Sequence, residues 1–230
     1  MSARARRPRA VAFDVIGTLF DLSVLRPQFD RLGLPPHALE WWFAVLLRDG
    51  FALSAAGGAT TFAKVATVAL AEVSRAAGCP LPPGADRGLI AACSELPAHS
   101  DSAVALQLLR GAEVPAVALS NGSVAITTAL LDLAGLRSLV SGVLSVEGAR
   151  HWKPRPEPYR YAASELAVEP SQLAMVAVHP WDLHGAATAG LVTGWVNRGG
   201  GPYPEVFSRP HVEAPSLDGA VYQLLRLPEC

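Results

Sequence analysis

The alternation of short apolar runs with helical patterns constrains the fold of this sequence most. Runs that are typical of buried parallel strands cover residues 10–13, 114–119, 173–178 and 191–196, and 142–146 is a candidate for a further short strand. Amphipathic helical patterns lie between them, at residues 103–110, 124–133, 158–167 and 181–189. Strands that alternate with helices predict βαβ units, and hence an α/β fold with a doubly wound parallel sheet.

Residues 23–96 depart from this alternation. Their periodicity predicts helices only, at 38–48, 61–77 and 86–94, with a proline-rich break at 79–84. We therefore expect two parts. Residues 1–22 and 97–230 form a Rossmann-like core, and residues 23–96 form a helical cap that is inserted after the first strand.

Composition excludes several classes of protein. Of the 230 residues, 50% are hydrophobic and 17% are charged, and the formal net charge is -1, which argues against a nucleic-acid-binding or membrane-surface protein. Charged residues or proline interrupt every apolar run before it reaches membrane-spanning length. The cysteines Cys79, Cys93 and Cys230 are scattered and odd in number, as in a reduced cytoplasmic protein. The arginine-rich segment 2–9 is expected to be a frayed leader, or else an anion-binding arm.

Polar residues follow three of the predicted strands directly. They are Asp14, Ser120 and His179. Ligands of open parallel sheets bind beyond the carboxyl ends of the strands, so these three side chains should meet at one site. A carboxylate there can attack carbon or phosphorus and form an ester that water cleaves later, which makes Asp14 the candidate nucleophile. The alternative is an aspartate that merely caps a turn.

Four motifs in order carry a resemblance to a known family. They are Asp14-x-x-Gly17-Thr18-Leu19, Ser120-Asn121-Gly122, Lys153-Pro154 and Asp182. The sequence resembles the haloacid dehalogenase superfamily over nearly its whole length, and within it most the L-2-haloacid dehalogenases. The resemblance implies a hydrolase that acts through an aspartyl ester, most simply on a small 2-haloacid, without a metal or organic cofactor. It also implies a homodimer formed through the cap.

The resemblance assigns roles to the residues around Asp14. Lys153 neutralises the nucleophile's surroundings, Thr18 hydrogen-bonds its carboxylate, and Asp182 activates the hydrolytic water. His179 stands where many of these enzymes carry Asn, and we expect it to help Asp182. Each has a structural alternative: Lys153 as an exposed loop residue, and Asp182 as a helix cap.

The remaining candidates would bind or orient the substrate. Ser120 and Asn121 would hydrogen-bond its carboxylate or fix the nucleophile, although a strand-to-helix turn capped by Ser123 explains them equally. Tyr159 follows Lys153 at the spacing of the family, but it is also an ordinary position for an aromatic residue on a helix face.

The sequence departs from the family pattern at two positions. Related phosphatases carry a second Asp two residues after the nucleophile, and the dehalogenases commonly carry Tyr; here the residue is Ile16, which cannot bind Mg²⁺ or transfer a proton. The dehalogenases also carry Arg after a Trp on the first cap helix, where this chain has Phe43 after Trp42. Arg48 lies about 140° around the helix from Phe43. Trp42 and Phe43 would then form an apolar roof over the substrate, or simply pack the cap on the core.

Three rival functions remain at this point. The first is another hydrolysis on the same fold, such as C–N ring opening of a cyclic imino acid. The second is a Mg²⁺-dependent phosphatase, which Ile16 disfavours. The third is a non-catalytic binding relative, which the joint presence of Asp14, Lys153 and Asp182 disfavours.

Overall fold

A computed structural model describes residues 5–58 and 60–229 and contains the parallel sheet that the sequence predicts. Six strands, all parallel, lie in the order β3-β2-β1-β4-β5-β6. Their bounds are β1 Ala10–Phe13, β2 Ala116–Ser120, β3 Gly142–Ser145, β4 Leu173–Ala177, β5 Val192–Val196 and β6 Val212–Ala214. The inner strands are buried at every residue, as expected for a sheet with helices on both faces.

The helices of the core are divided between the two faces of the sheet. Val11 and Phe13 point to the face covered by α5 (Ser102–Gly111), α6 (Val124–Leu133) and α10 (Leu217–Leu225). Ala10 and Ala12 point to the opposite face, which is covered by α8 (Pro156–Glu165) and α9 (Pro180–Thr188). This division follows from the two-residue period of side chains along a strand. A one-turn helix, α7 (Val146–Ala149), follows β3.

Between β1 and α5, the described residues form four α-helices in the segment predicted as the cap. They are α1 (Arg26–Arg31), α2 (Ala38–Ala55), α3 (Phe62–Ala77) and α4 (Ala85–Ala92). The start and end of α3 are encoded locally, because Thr61 Oγ1 accepts a hydrogen bond from Lys64 N and Gly78 ends the helix at a left-handed φ of 69°. The buried residues of α2 and α3 are continuous with the core beneath β1.

The structure corrects several local expectations. Helix α2 continues seven residues beyond the predicted end at residue 48, and β6 and α10 were not predicted. The arginine-rich start is not frayed where it is described, because Arg7 N donates to Pro228 O at 2.8 Å and Arg9 N donates to Gln172 O at 2.7 Å. Residues 2–4 of that segment and Cys230 lie outside the described residues. Cys79 and Cys93 are free thiols.

Candidate active site

The loop after β1 holds Asp14 at the carboxyl edge of the sheet. Asp14 N donates to Val176 O of β4 at 3.0 Å, which continues the strand pairing up to the candidate nucleophile. Gly17 then turns the chain with a φ of 85°, a conformation that favours glycine. The turn brings Thr18 Oγ1 back to donate to Asp14 Oδ2 at 2.7 Å, while Val178 N donates to the same hydroxyl at 3.1 Å. One carboxylate oxygen is therefore fixed by the loop that carries it.

Lys153 joins the two carboxylates of the site. Its Nζ lies 2.8 Å from Asp14 Oδ1 and 2.6 Å from Asp182 Oδ2, and its side chain is fully buried. Tyr159 Oη donates to the other oxygen of Asp182 at 2.6 Å. The sequence separates these residues by up to 168 positions, from Asp14 to Asp182, and the carboxyl ends of β1 and β4 bring them together.

Burial and the shared ammonium set the ionisation of these groups. Burial by itself raises the pKa of Asp14, but Lys153, His179 and Thr18 lower it, and the pKa ends below its usual value. Burial raises the pKa of Asp182, the charge of Asp14 raises it further, and this pKa ends above its usual value. Burial lowers the pKa of Lys153, but the two carboxylates raise it above its usual value. Asp14 is therefore held as an anion, which is the form that acts as a nucleophile.

The loop after β2 fixes the segment that carries Lys153. Asn121 Oδ1 accepts a hydrogen bond from Lys153 N at 2.9 Å. The loop itself is closed by two serines, because Gly122 N donates to Ser120 Oγ at 2.8 Å and Ser145 Oγ donates to Gly122 O at 2.7 Å. The turn role and the site role that the sequence left open for this loop are therefore compatible.

A small cavity opens directly above Asp14. The space in which the centre of a water molecule can lie is about 20 Å³, which is room for one or two waters. Asp14 and His179 are its titratable lining residues, and Ser120, Asn121 and Gly122 form one polar side. The rest of the wall is apolar and consists of Ile16, Phe43, Leu46, Leu47, Phe62 and Trp181. A substrate of this site must be compact, and the side chains of the wall must yield to admit it.

The contacts of His179 identify which ring nitrogen carries the proton. Nε2 lies 3.1 Å from Ile16 O and 3.6 Å from Asp14 Oδ2, and both of these oxygens are acceptors. We therefore assign a hydrogen to Nε2, so that the ring presents a donor at the edge that faces Asp14. The ring is stacked on Trp181 with centroids 5.2 Å apart.

The structure places some predicted residues away from the cavity. Trp42 was expected in the roof, but it is fully buried against α3, where its Nε1 donates to Ala66 O at 2.9 Å. Arg48 pairs with Asp49 of α2 and with Glu72 of α3 at 2.8 Å each, and its side chain is exposed. The other predicted residues off the wall are Thr18, Lys153, Tyr159 and Asp182, which lie behind Asp14.

Four wall residues were not identified from the sequence. Leu46 and Leu47 stand three and four positions after Phe43, so the helical period of α2 places them on the same side. Trp181 directly precedes Asp182, and its ring also meets Phe51 of α2 at 4.9 Å between centroids. Phe62 is the first residue of α3, and the only sequence signal near it is the helix N-cap residue Thr61.

Among the described residues, no group of three or more His, Cys, Asp or Glu side chains is arranged to hold a metal ion. The same part of the chain contains no helix that is both long enough and apolar enough to cross a membrane.

Comparisons with known proteins agree with this geometry. A family model described as haloacid dehalogenase-like hydrolase matches residues 8–190. The (S)-2-haloacid dehalogenase 4A of Burkholderia cepacia is 30% identical over 84% of this chain and 85% of its own length. The (S)-2-haloacid dehalogenase 1 of Pseudomonas sp. (strain CBS-3) is 28% identical over 95% of this chain and 97% of its own.

A solved structure extends the similarity to three dimensions. The crystal structure of an L-2-haloacid dehalogenase superposes with a TM-score of 0.88 at 27% identity, and covers 96% of this chain and 99% of the other. The predicted fold and the predicted family are both confirmed. The chain belongs to the haloacid dehalogenase-like hydrolases and, within that family, is similar to the (S)-2-haloacid dehalogenases.

Proposed function

We propose that this protein hydrolyses the carbon–halogen bond of a small 2-haloacid through an ester on Asp14. The observation that carries the proposal is a buried, ionised carboxylate at the floor of a small and mostly apolar cavity. An apolar wall strengthens an anionic nucleophile, because it removes the water that would otherwise solvate it. The names of the similar proteins support the same reaction.

The reaction has two steps. An oxygen of Asp14 attacks the carbon that bears the halogen, the carbon–halogen bond breaks, and the halide leaves with the bonding electrons. Water then attacks the carbonyl carbon of the ester, which releases the 2-hydroxyacid, a proton and free Asp14. Because halide is a stable anion, the first step needs no acid, and Ile16 is compatible with it.

We propose that Asp182 acts in the second step. Ester formation removes the charge of Asp14, which is one of the causes that raise the pKa of Asp182. Asp182 then ionises more readily, and the ionised carboxylate is the form that can accept a proton from water. Asp182 is fully buried, with Lys153 and Tyr159 on its two oxygens, so the side chains around it must shift before water can reach it.

Among the residues that the structure describes, no arginine or lysine lines the cavity to pair with the carboxylate of the substrate. The polar side of the cavity is the loop of Ser120, Asn121 and Gly122, and we propose that this loop binds the carboxylate. Phe43 and Ile16 would then face the halogen. This arrangement favours chloride and bromide over fluoride, because an apolar wall gives little hydrogen bonding to a small, strongly hydrated anion.

A halide-release screen tests the proposal. Chloro-, bromo- and fluoroacetate and both enantiomers of 2-chloropropionate are incubated with the enzyme, beside phosphate esters with and without Mg²⁺. We expect chloride and bromide release, with one 2-chloropropionate enantiomer consumed and the opposite configuration in the product. Phosphate release without halide release would replace this function with a phosphatase, and activity only on a cyclic imino acid would replace it with ring opening.

Removal of divalent metal should leave the activity unchanged. Ile16 offers no ligand where a second carboxylate would bind Mg²⁺. We expect the initial rate of halide release after EDTA treatment to match the untreated rate within about twofold, a smaller change than the loss of any catalytic group. Complete inactivation that Mg²⁺ reverses would contradict the metal-independent mechanism.

Variants of His179 should show whether its side chain acts as a hydrogen-bond donor or as a base. Asn also donates a hydrogen bond, so His179→Asn should keep kcat within about tenfold, whereas His179→Leu should lower it about 100-fold, as removal of a donor near developing charge does. His184→Asn, on the same helix, is the matched control. If His179→Asn accumulates the Asp14 ester as added mass on the intact protein, His179 acts as the base in the second step.

The assembly and the compartment remain proposals. A homodimer through the cap is expected from the resemblance, and sedimentation velocity over a range of protein concentrations tests it. The free thiols of Cys79 and Cys93 support a reducing, cytoplasmic location. No nucleic-acid or membrane partner is proposed.

A further inference from the structure

Trp152 directly precedes Lys153, and its side chain enters the cap. The indole is buried, and its Nε1 donates to Thr60 O at 3.1 Å. The ring is stacked on Phe62, the first residue of α3, with centroids 6.4 Å apart. Because Phe62 also lines the cavity, one contact joins the cavity wall to the segment that carries the lysine.

Two consecutive backbone amides bind two different parts of the protein. Trp152 N donates to Ser54 Oγ of the cap helix α2 at 3.0 Å, and Lys153 N donates to Asn121 Oδ1 of the core at 2.9 Å. Arg155 of the same segment adds a second bond to the cap, from Nη1 to Ser54 O at 3.0 Å. A shift of the cap relative to the core must therefore pull on the backbone of Lys153.

Gly50 explains how the indole fits against α2. A Cβ at this position would lie 2.3 Å from Cε3 and 2.4 Å from Cζ3 of Trp152, far inside van der Waals contact. Glycine within a helix costs about 1 kcal/mol relative to alanine, so local helix stability does not favour it here. The close approach of Trp152 accounts for the residue, and it also accounts for the continuation of α2 past the Asp49-Gly50 pair.

We propose that Trp152 is a positioning residue that couples the seating of the cap to the placement of Lys153 between Asp14 and Asp182. When the indole is held by the cap, the ammonium reaches both carboxylates; when the indole is displaced, the lysine loses this geometry. The inference rests on the proposed function only for its kinetic readout.

Amine labelling tests the coupling without any substrate. The lysines of this chain are Lys64, which is exposed on the cap, and Lys153, which is fully buried. Treatment with an acetylating reagent and peptide mass spectrometry should label Lys64 and spare Lys153 in the wild-type protein. In Trp152→Ala, labelling of Lys153 should rise at least about tenfold while labelling of Lys64 stays constant, because the loss of a tertiary contact lowers the free energy of local opening.

The kinetic readout distinguishes positioning from general destabilisation. Trp152→Ala should lower kcat about 10- to 100-fold and change KM less than about threefold, because a shift of about 1 Å in a catalytic group has an effect of this size. The acidic limb of the kcat profile should also move to higher pH. Asp14 faces Lys153, Asp182, His179 and Thr18, and withdrawal of the ammonium removes the largest cause that lowers the pKa of Asp14, so that burial raises it against His179 and Thr18 alone.

Gly50→Ala provides a second variant that retains the indole. The new methyl should displace Trp152 and reproduce both the labelling and the loss of kcat. Added to Trp152→Ala, it should have no further effect, because the ring atoms that it meets are gone. The matched controls are Trp41→Ala, whose ring lies on His37, and Gly111→Ala, whose Cβ would meet nothing within 4 Å.

Three results would overturn the proposal: protection of Lys153 in folded Gly50→Ala, additive effects of Gly50→Ala and Trp152→Ala, or equal labelling in Trp41→Ala. If Trp152→Ala does not fold, Gly50→Ala alone decides by the same labelling. Failure of the wild-type enzyme to release halide would reject the proposed function, whereas the labelling result would still decide the coupling.

Discussion

Asp14→Asn is expected to lower turnover by at least about 10³-fold, because an amide oxygen is a poor nucleophile and the ester cannot form. The fold should survive, since the amide is close in size and can still accept the hydrogen bond from Thr18. Initial rates of halide release and the thermal unfolding midpoint measure the two effects. Asp132→Asn, at an exposed position of α6, is the matched control.

Isotope labelling shows whether Asp14 is the covalent centre. With enzyme in excess over substrate in heavy-oxygen water, a single turnover should place the label in Asp14 and not in the product, because water attacks the ester carbonyl. The peptide that contains Asp14 then gains mass on later digestion. Label that enters the product directly while Asp14 stays unlabelled would refute the ester mechanism.

Lys153→Met is expected to cost both activity and stability. Methionine retains much of the volume of the side chain but leaves Asp14 and Asp182 facing each other without the ammonium that both contact. Loss of one partner from a buried ion pair costs about 3–5 kcal/mol of unfolding free energy. Urea unfolding at neutral pH measures the loss, and Lys64→Met, at the exposed lysine, should be nearly neutral.

The stability of Lys153→Met should depend on pH in a defined direction. Without the ammonium, burial holds the pKa of both carboxyls above their unfolded values, so the folded protein binds more protons than the unfolded chain. The contribution of the two carboxyls to stability is then most favourable below their unfolded-state pKa values, near pH 4, and it is lost as the pH rises through their folded-state pKa values. The difference in unfolding free energy between Lys153→Met and the wild-type enzyme should be larger at pH 8 than at pH 5. An equal difference at both pH values would contradict this account.

The strands and helices that the sequence predicts are those with strong local patterns. Val11 and Phe13 alternate with Ala10 and Ala12 in a run that is buried on both faces, and this pattern is characteristic of an inner parallel strand. The edge strand β6 has only three residues and one exposed side chain, Glu213, so its pattern is too short to recognise. Tertiary contacts extend α2 past Gly50, against the local preference for a helix end.

Residue type and motif order predict the chemistry of the site. Asp14 after a buried strand, Gly17 where φ is positive, and Lys153 and Asp182 in later motifs all follow from the sequence and its resemblance to a family. The wall of the cavity does not follow from it. Leu46, Phe62 and Trp181 come from separate elements, and whether such a residue lines a cavity depends on the angle between those elements.

The sequence by itself determined the parallel α/β core and the family and pointed to Asp14 as the candidate nucleophile, because these depend on short-range periodicity and on residues that follow strands directly. Only the tertiary structure decided that Trp42 is buried against α3, that Lys153 is shared by two carboxylates with opposite pKa shifts, and that His179 Nε2 lies beside both Ile16 O and Asp14 Oδ2. These properties arise from distances of a few ångströms between residues far apart in the chain. Coulomb and hydrogen-bond energies change steeply over such distances, and sequence spacing does not specify them.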